Sequence, residues 1–343
     1  MQGMMRAIAA VALCTIPLAA RAEYRVREIG SFHIGGHEVV LEGLPKSQIS
    51  FTAGMAPITV DPNGQFETGQ MYVQYVKLAE PSAPLPILLW HGGGLSGVTW
   101  ETKPDGKPGW QQFFLEHGYD TYVSDAVERG RASWSRYPEI YTSPPLFRTK
   151  REGWDIFRIG PADGWAQEPN ARQAFEGTQF PISDYDQFAK QAIPRWATND
   201  AATQAAYDAY VRKVCPCVIV VHSQGGNFGY TAALHNPDLV KALVLVEPSG
   251  APDPAKADAS AVKGIPHLVV WGDYLDRVPF WTPLVKANAA WRDAVNKAGG
   301  HVEWLELPKA GHHGNTHMLM MDRNSDAVAA RVSDWLGQQK LTR

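Results

Sequence analysis

Cys217-Val218-Ile219-Val220-Val221-His222-Ser223-Gln224-Gly225-Gly226 is the stretch whose reading decides the fold. Its first half is a β-branched apolar run, the composition of a strand buried on both faces of a parallel sheet. The run breaks at once into a serine and two glycines, and helix-compatible residues follow through Leu234. A serine at the end of a buried strand with glycines behind it is the pattern of a nucleophile elbow. The turn is so sharp that its neighbours must be small, and it lifts the hydroxyl clear of the backbone at the mouth of the sheet. The usual form is Gly-x-Ser-x-Gly, whereas here Val221 occupies the first small position. The competing reading is a strand–turn–helix junction whose serine merely caps a helix.

Working outward, the chain reads as a parallel α/β sheet entered through an antiparallel edge. Upstream, from Glu23 to about Ala79, apolar and polar residues alternate in runs such as Tyr24-Arg25-Val26, Glu38 to Leu41 and Met71 to Val76. Gly35-Gly36 and Asp61-Pro62-Asn63-Gly64 read as the turns between them, which is antiparallel meander chemistry. After Pro86 the strands become continuously apolar: Ile87 to Trp90, Tyr119 to Ser124, the run from Val218, Ala242 to Val246, His267 to Trp271, and Val302 to Leu307. Helices are expected around Gln111–His117, Leu284–Ala298 and Ser325–Leu336.

The interval between the strand near 119–124 and the strand near 217–221 is far longer than a simple crossover needs. Val127 to Ile193 is rich in Trp, Phe, Tyr and Pro with weak periodicity. It reads as a cap that returns through the Ala-rich helix Asn199–Val214. The expected division is therefore a core of residues 23–126 and 215–343, with a cap and return helix at 127–214.

The 343 residues are 45% hydrophobic and 20% charged, enough for one large core. A net charge of -3 gives no reason to expect nucleic acid or an anionic membrane as partner. Residues 1–22 read as a secretory leader: Arg6 is the positive start, Ala7 to Ala20 the short apolar stretch, and Ala20-Arg21-Ala22 the small-x-small cleavage site. The apolar stretch is too short to span a bilayer comfortably, so no stable membrane insertion is expected after cleavage. A periplasmic or secreted destination follows. The mature chain then keeps Cys215 and Cys217, for which a tight Cys-x-Cys disulfide and two free thiols both stand open.

His91-Gly92-Gly93-Gly94 closes one apolar strand, and such a loop presents backbone N–H groups to a developing oxyanion. Glycines let a substrate carbonyl approach the main chain closely. A serine nucleophile needs a base, and the base needs an acid to hold its tautomer. The acid has candidates at Glu247, which ends the strand Val244-Leu245-Val246, and at Asp273 or Asp276 one strand later. The base has candidates at His312, His313 and His317. A metal set of His313, His317 and Asp322 is the competing use of that cluster, against which Gly314 and Asn315 speak, since they break the helix that would align it.

The combination is specific. Trp90 to Gly94, Trp100-Glu101-Thr102, Arg129 to Ser133, His222-Ser223-Gln224, Val246-Glu247-Pro248 and Gly314 to Met318, in this order, resemble a group of α/β-hydrolase serine esterases typified by an exported Alcaligenes enzyme. The resemblance runs from the first meander strand to the C-terminal helix and is thinnest in the cap. It implies the α/β-hydrolase fold and a Ser-His-Glu triad. By it Ser223 is the nucleophile, Glu247 the acid and His317 the base, with the amides of Gly93 and Gln224 as the oxyanion hole. His317 also stands five residues before Asp322, where related hydrolases open their last helix. The implied activity is carboxylic-ester hydrolysis on a small-molecule ester, without cofactor or metal. Amide, thioester or polyester cleavage by the same triad, and a non-catalytic binding role, are the alternatives. Nothing in the sequence speaks for or against a homodimer.

Overall fold

The computed structural model describes residues 23–341. The expected leader, residues 1–22, lies outside them. Ten strands run in chain order: β1 (Val26–Leu41), β2 (Ser47–Ile49), β3 (Ile58–Val60), β4 (Gly64–Leu78), β5 (Ile87–Trp90), β6 (Thr121–Asp125), β7 (Cys217–His222), β8 (Val240–Val246), β9 (His267–Trp271) and β10 (Val302–Glu306). The helices are α1 (Val98–Glu101), α2 (Trp110–Glu116), α3 (Lys150–Ile156), α4 (Tyr185–Ala189), α5 (Asp200–Val214), α6 (Gly225–His235), α7 (Thr282–Lys297) and α8 (Ser325–Gln338).

Eight strands form one sheet in the order β1-β4-β6-β5-β7-β8-β9-β10, and β2 and β3 make a separate hairpin. The β1–β4 and β4–β6 pairs are antiparallel. From β6 onward every pair is parallel. The expected sheet, mostly parallel behind antiparallel N-terminal strands, is the one found. All six residues of β7 are buried, as a strand covered by helices on both faces must be. Two apolar clusters fill the two faces of the sheet, one around Leu89, Val218, Val220 and Val244, the other around Trp90, Ile219, Val221 and Leu245. Each such side chain contributes roughly 1.5–3 kcal/mol on leaving water.

One local expectation is corrected. Gly35-Gly36 does not turn the chain, because β1 runs unbroken through it for 16 residues. Both glycines have positive φ, 74° and 87°, and Gly35 still pairs with Gln70. The reason lies above the sheet: a Cβ on Gly35 would stand 2.8 Å from Ala206 Cβ of α5. The glycines admit a helix to close range.

Cys215 and Cys217 are joined by a disulfide, with their Cα atoms 4.4 Å apart. Between β6 and α5 lie α3, α4 and three short 3-10 turns connected by loops. Helix α5 packs on β1, β4 and α6. No helix among the described residues is long and apolar enough to cross a membrane.

The sheet order also predicts where a site belongs. From β5 the chain moves to β6 on one side, then crosses back to β7 on the other. The loops after β5 and β7 therefore diverge and leave a crevice at the carboxyl ends of the strands.

Candidate active site

Ser223 sits in that crevice at the end of β7, with φ of 53°. A left-handed serine is costly backbone, and it holds only where packing over-determines it. The packing is visible in the glycines. A Cβ on Gly225 would fall 2.8 Å from the His91 carbonyl oxygen, and one on Gly226 would fall 2.8 Å from Pro248 Cβ. Val221 is tolerated for a reason the usual motif does not supply. A Cβ on Gly229, one turn along α6, would stand 2.9 Å from Val221 Cγ1. The space that a glycine at 221 would give is given instead by a glycine in the helix.

The loop after β5 closes on the same point. A Cβ on Gly92 would lie 2.9 Å from Ser223 Cβ, and one on Gly93 would lie 2.8 Å from Gln224 Oε1. Among the described residues neither the Gly93 nor the Gln224 amide donates to a backbone carbonyl. Gln224 stands at the start of α6, whose N-terminus adds partial positive charge, and Gly93 packs against it. His91 pegs the loop: its Nε2 accepts from Ala126 N–H at 3.0 Å, so its Nδ1 donates to Gly92 O at 2.8 Å. Burial holds this ring neutral, its pKa lowered to about 4, as both bonds require.

Of the histidine candidates, only His317 meets an acid. His317 and Glu247 are fully buried, and His317 Nδ1 lies 3.2 Å from Glu247 Oε2. Its Nε2 has no partner among the described residues. His312 is half-buried and His313 exposed, and among the described residues the Glu247 carboxylate bonds only Arg158, Gly272 and His317. Phe157 and Trp281 flank the imidazole, at ring distances of 5.5 and 4.2 Å. The ring of His222, next to Ser223, stands 4.6 Å from that of His317, and its Nε2 donates to His317 O at 3.0 Å. Burial first, then the positive charges of Arg158 and Arg148, hold the His317 imidazole well below its usual pKa. A neutral ring with Nδ1–H tied to a carboxylate exposes the Nε2 lone pair, which is the form a general base requires.

The rival acids do other things. Asp276 is exposed, with 85% of its side chain in solvent. Asp273 accepts from Gly314 N–H at 3.0 Å and Tyr274 N–H at 2.8 Å, shaping the loops. Asp322 is turned to Thr316 and Asn315, and among the described residues no three His, Cys, Asp or Glu side chains stand together as a metal set.

Sequence reasoning missed Arg158. It follows α3, is fully buried with φ of 55°, and its Nη2 donates to Glu247 Oε1 at 2.6 Å. Its Nε donates to Asp273 O at 2.8 Å. Gly272 N–H donates to the same Glu247 oxygen. No local pattern distinguishes this arginine from others in the segment, so only the folded chain reveals it.

No family model matches the chain. A probable secreted lipase, phiG, of Fungal sp. (strain ATCC 74256) is 27% identical over 337 residues, covering 80% of this chain and 88% of that one. The solved structure of a bacterial esterase superposes with a TM-score of 0.80 at 34% identity, over 94% of this chain and 99% of that chain. A similarity of that depth over nearly the whole length, on a sheet with this switch point and this serine turn, makes the chain a member of the α/β-hydrolase serine esterases, an ester-hydrolysing enzyme.

Proposed function

We propose that the protein is an exported carboxylic-ester hydrolase that works through a Ser223–His317–Glu247 triad and an acyl-enzyme. The observation that carries this reading is the 3.2 Å contact of His317 Nδ1 with Glu247 Oε2, which leaves Nε2 unpartnered beside the serine turn. Ser223 Oγ attacks the ester carbonyl while His317 Nε2 takes its proton. Glu247 steadies the imidazolium, and the amides of Gly93 and Gln224 hold the oxyanion. Collapse expels the alcohol, which leaves with the proton from His317. Water, deprotonated by the same ring, then attacks the acyl-enzyme, and the acid departs as Ser223 recovers its proton.

In this reading residues 127–214 act as cap and return helix and set substrate choice. Export rests on the leader-like residues 1–22 and on the relative described as secreted. The test is a serine-directed phosphonate applied to purified protein together with a simple ester assay. Ser223 should take the label, and Ser223→Ala should lose both label and turnover, on the order of a million-fold as in subtilisin. Label on another serine, with Ser223→Ala still active, overturns the assignment. For export, periplasmic or secreted protein should begin at or near Glu23.

A further inference from the structure

The glycine loop after β5 is surrounded by positive charge that the triad does not use. Its three glycines touch, in turn, the nucleophile turn and two guanidinium groups. Gly92 packs on Ser223; a Cβ on Gly93 would stand 2.7 Å from Arg195 Nη1, and one on Gly94 would stand 3.8 Å from Arg148 Nε. A third guanidinium, that of Arg129, lines a cavity with Gly92 and Gln224.

These charges are poorly balanced. Arg129 is only 4% exposed, its Nε has no partner, and its Nη1 makes a single long bond of 3.4 Å to Glu128 O. The Glu128 carboxylate points elsewhere, to Ser133 Oγ and to the amide and hydroxyl of Ser135. Asp200, the acid near Arg129, is exposed and receives Gln224 Nε2 at 3.4 Å. Arg148 pairs with Glu152 at 2.8 Å through Nη1, but its buried Nε is unpartnered. Arg195 is half-buried and forms no ion pair among the described residues. The groups feel one another: burial first, then the charge of Arg195, lowers the Arg129 pKa to about 10. Burying a cation without its counter-ion is expensive, and an anionic ligand removes that cost. Guanidinium is also the group best shaped to take a carboxylate with two parallel bonds.

We propose that Arg129, Arg148 and Arg195 receive a carboxylate on the substrate. The preferred esters are then anionic ones: monoesters of dicarboxylic acids, or acyl esters of hydroxy acids. The proposal rests on the assignment of Ser223 as nucleophile and adds the substrate class. Arg148 also lies over the Phe157 ring at 5.3 Å, and Phe157 stacks on His317. A carboxylate held there is separated from the His317 ring by the Phe157 ring.

The experiment compares matched esters in a pH-stat at low ionic strength. Monoethyl adipate against ethyl hexanoate places the charge on the acyl side, and 4-acetoxybutanoate against butyl acetate places it on the alcohol side. The wild-type kcat/KM ratio of anionic to neutral ester should be at least about tenfold in one pair, the scale of one charge-assisted hydrogen bond, and should fall with added salt. In Arg195→Gln that ratio should drop by about tenfold, with partial recovery in Arg195→Lys. Arg195 is the variant of choice because it is half-buried, whereas Arg129→Gln disturbs a buried group. Ratios near or below one in both pairs overturn the proposal. So does an Arg195→Gln enzyme whose ratio is unchanged, since the guanidinium would then serve every ester alike. Absence of turnover on all four esters, together with no phosphonate on Ser223, overturns the nucleophile assignment and this proposal with it.

Discussion

Arg158 and Glu247 form an ion pair at 2.6 Å in which neither side chain is exposed to solvent. One comes from the segment after α3 and the other from the end of β8, so the pair ties the stretch between β6 and α5 to the sheet. Glu247 divides its two oxygens, Oε1 to Arg158 and the Gly272 amide, Oε2 to His317. The arginine thus neutralises and orients the group that orients the histidine.

Removing one partner of a buried pair leaves a bare charge, at a cost of about 3–5 kcal/mol. Arg158→Met should therefore lower the unfolding free energy read from urea titration by that much. Glu247→Gln alone should cost stability too and should lower kcat roughly ten-thousand-fold, the scale for a neutralised triad acid. Combining them removes both charges, so the double variant should be more stable than the sum of the two losses predicts. Strict additivity in the urea titrations would mean that the pair carries no coupling energy. Asp276→Asn, by contrast, should cost little activity, because its side chain is in solvent.

Val221 and Gly229 are the second coupled pair. Gly229→Ala should destabilise by about 1–3 kcal/mol through overpacking against Val221 Cγ1, despite alanine's better helix propensity. Val221→Gly in the same chain should recover part of the loss, because it restores the space at the other end of the contact. Thermal unfolding of the four species reads this directly. An alanine at 229 that stabilises the protein with Val221 in place would contradict it.

Much of the site was legible because its parts sit at chain discontinuities. The serine follows a buried run, the glycines follow another, Glu247 ends a third, and the histidine lies between the last strand and the last helix. What the sequence lacked were facts of tertiary contact. Gly35-Gly36 looks like a turn until Ala206 lies above it. Phe157 and Arg158, from just after α3, and Trp281, from just before α7, come to the imidazole and its carboxylate, and no spacing links either segment to His317. Among His312, His313 and His317 the sequence offered only the family likeness and the five-residue spacing to Asp322 as grounds for choosing, because the contact of His317 with Glu247 is made across the fold.

Acid pH should weaken the fold before it silences the proton acceptor. Burial lowers His91 and His267 to about 4, and His222 and His317 lie well below their usual value. Unfolded histidine titrates near 6.5, so between about pH 6.5 and 4 the unfolded chain binds more protons and stability falls as pH falls. Each fully expressed shift of this size is worth on the order of 3 kcal/mol. Asp322, raised to about 7 by burial, acts in the opposite sense over the same range. Four histidines against one carboxyl leave a net loss, so Tm should be lower at pH 5 than at pH 7.5. Meanwhile kcat/KM should show no inflection at 6.5, because His317 stays neutral there. A Tm that rises on acidification, or an acid limb centred at 6.5, would count against these buried neutral rings.

The three histidines differ in what they meet. His317 touches Glu247 through Nδ1 and keeps Nε2 unpartnered inside the buried site. The His312 backbone N–H donates to Leu307 O, and the backbone carbonyl of the exposed His313 accepts from Gln179 Nε2 at 3.4 Å. Among the described residues neither of those rings bonds a carboxylate that would hold its tautomer, and their loop is held by the Gly314 N–H bond to Asp273. His317→Ala should therefore lose nearly all turnover, while His312→Ala and His313→Ala should stay within about a hundredfold of wild type, the lower range ascribed to general base catalysis. The same ranking should appear in phosphonate labelling, which needs an activated serine but no substrate. His317→Ala that still labels Ser223 at the wild-type rate would remove the histidine from the mechanism, and His312→Ala that fails to label would move the base to the other side of the loop.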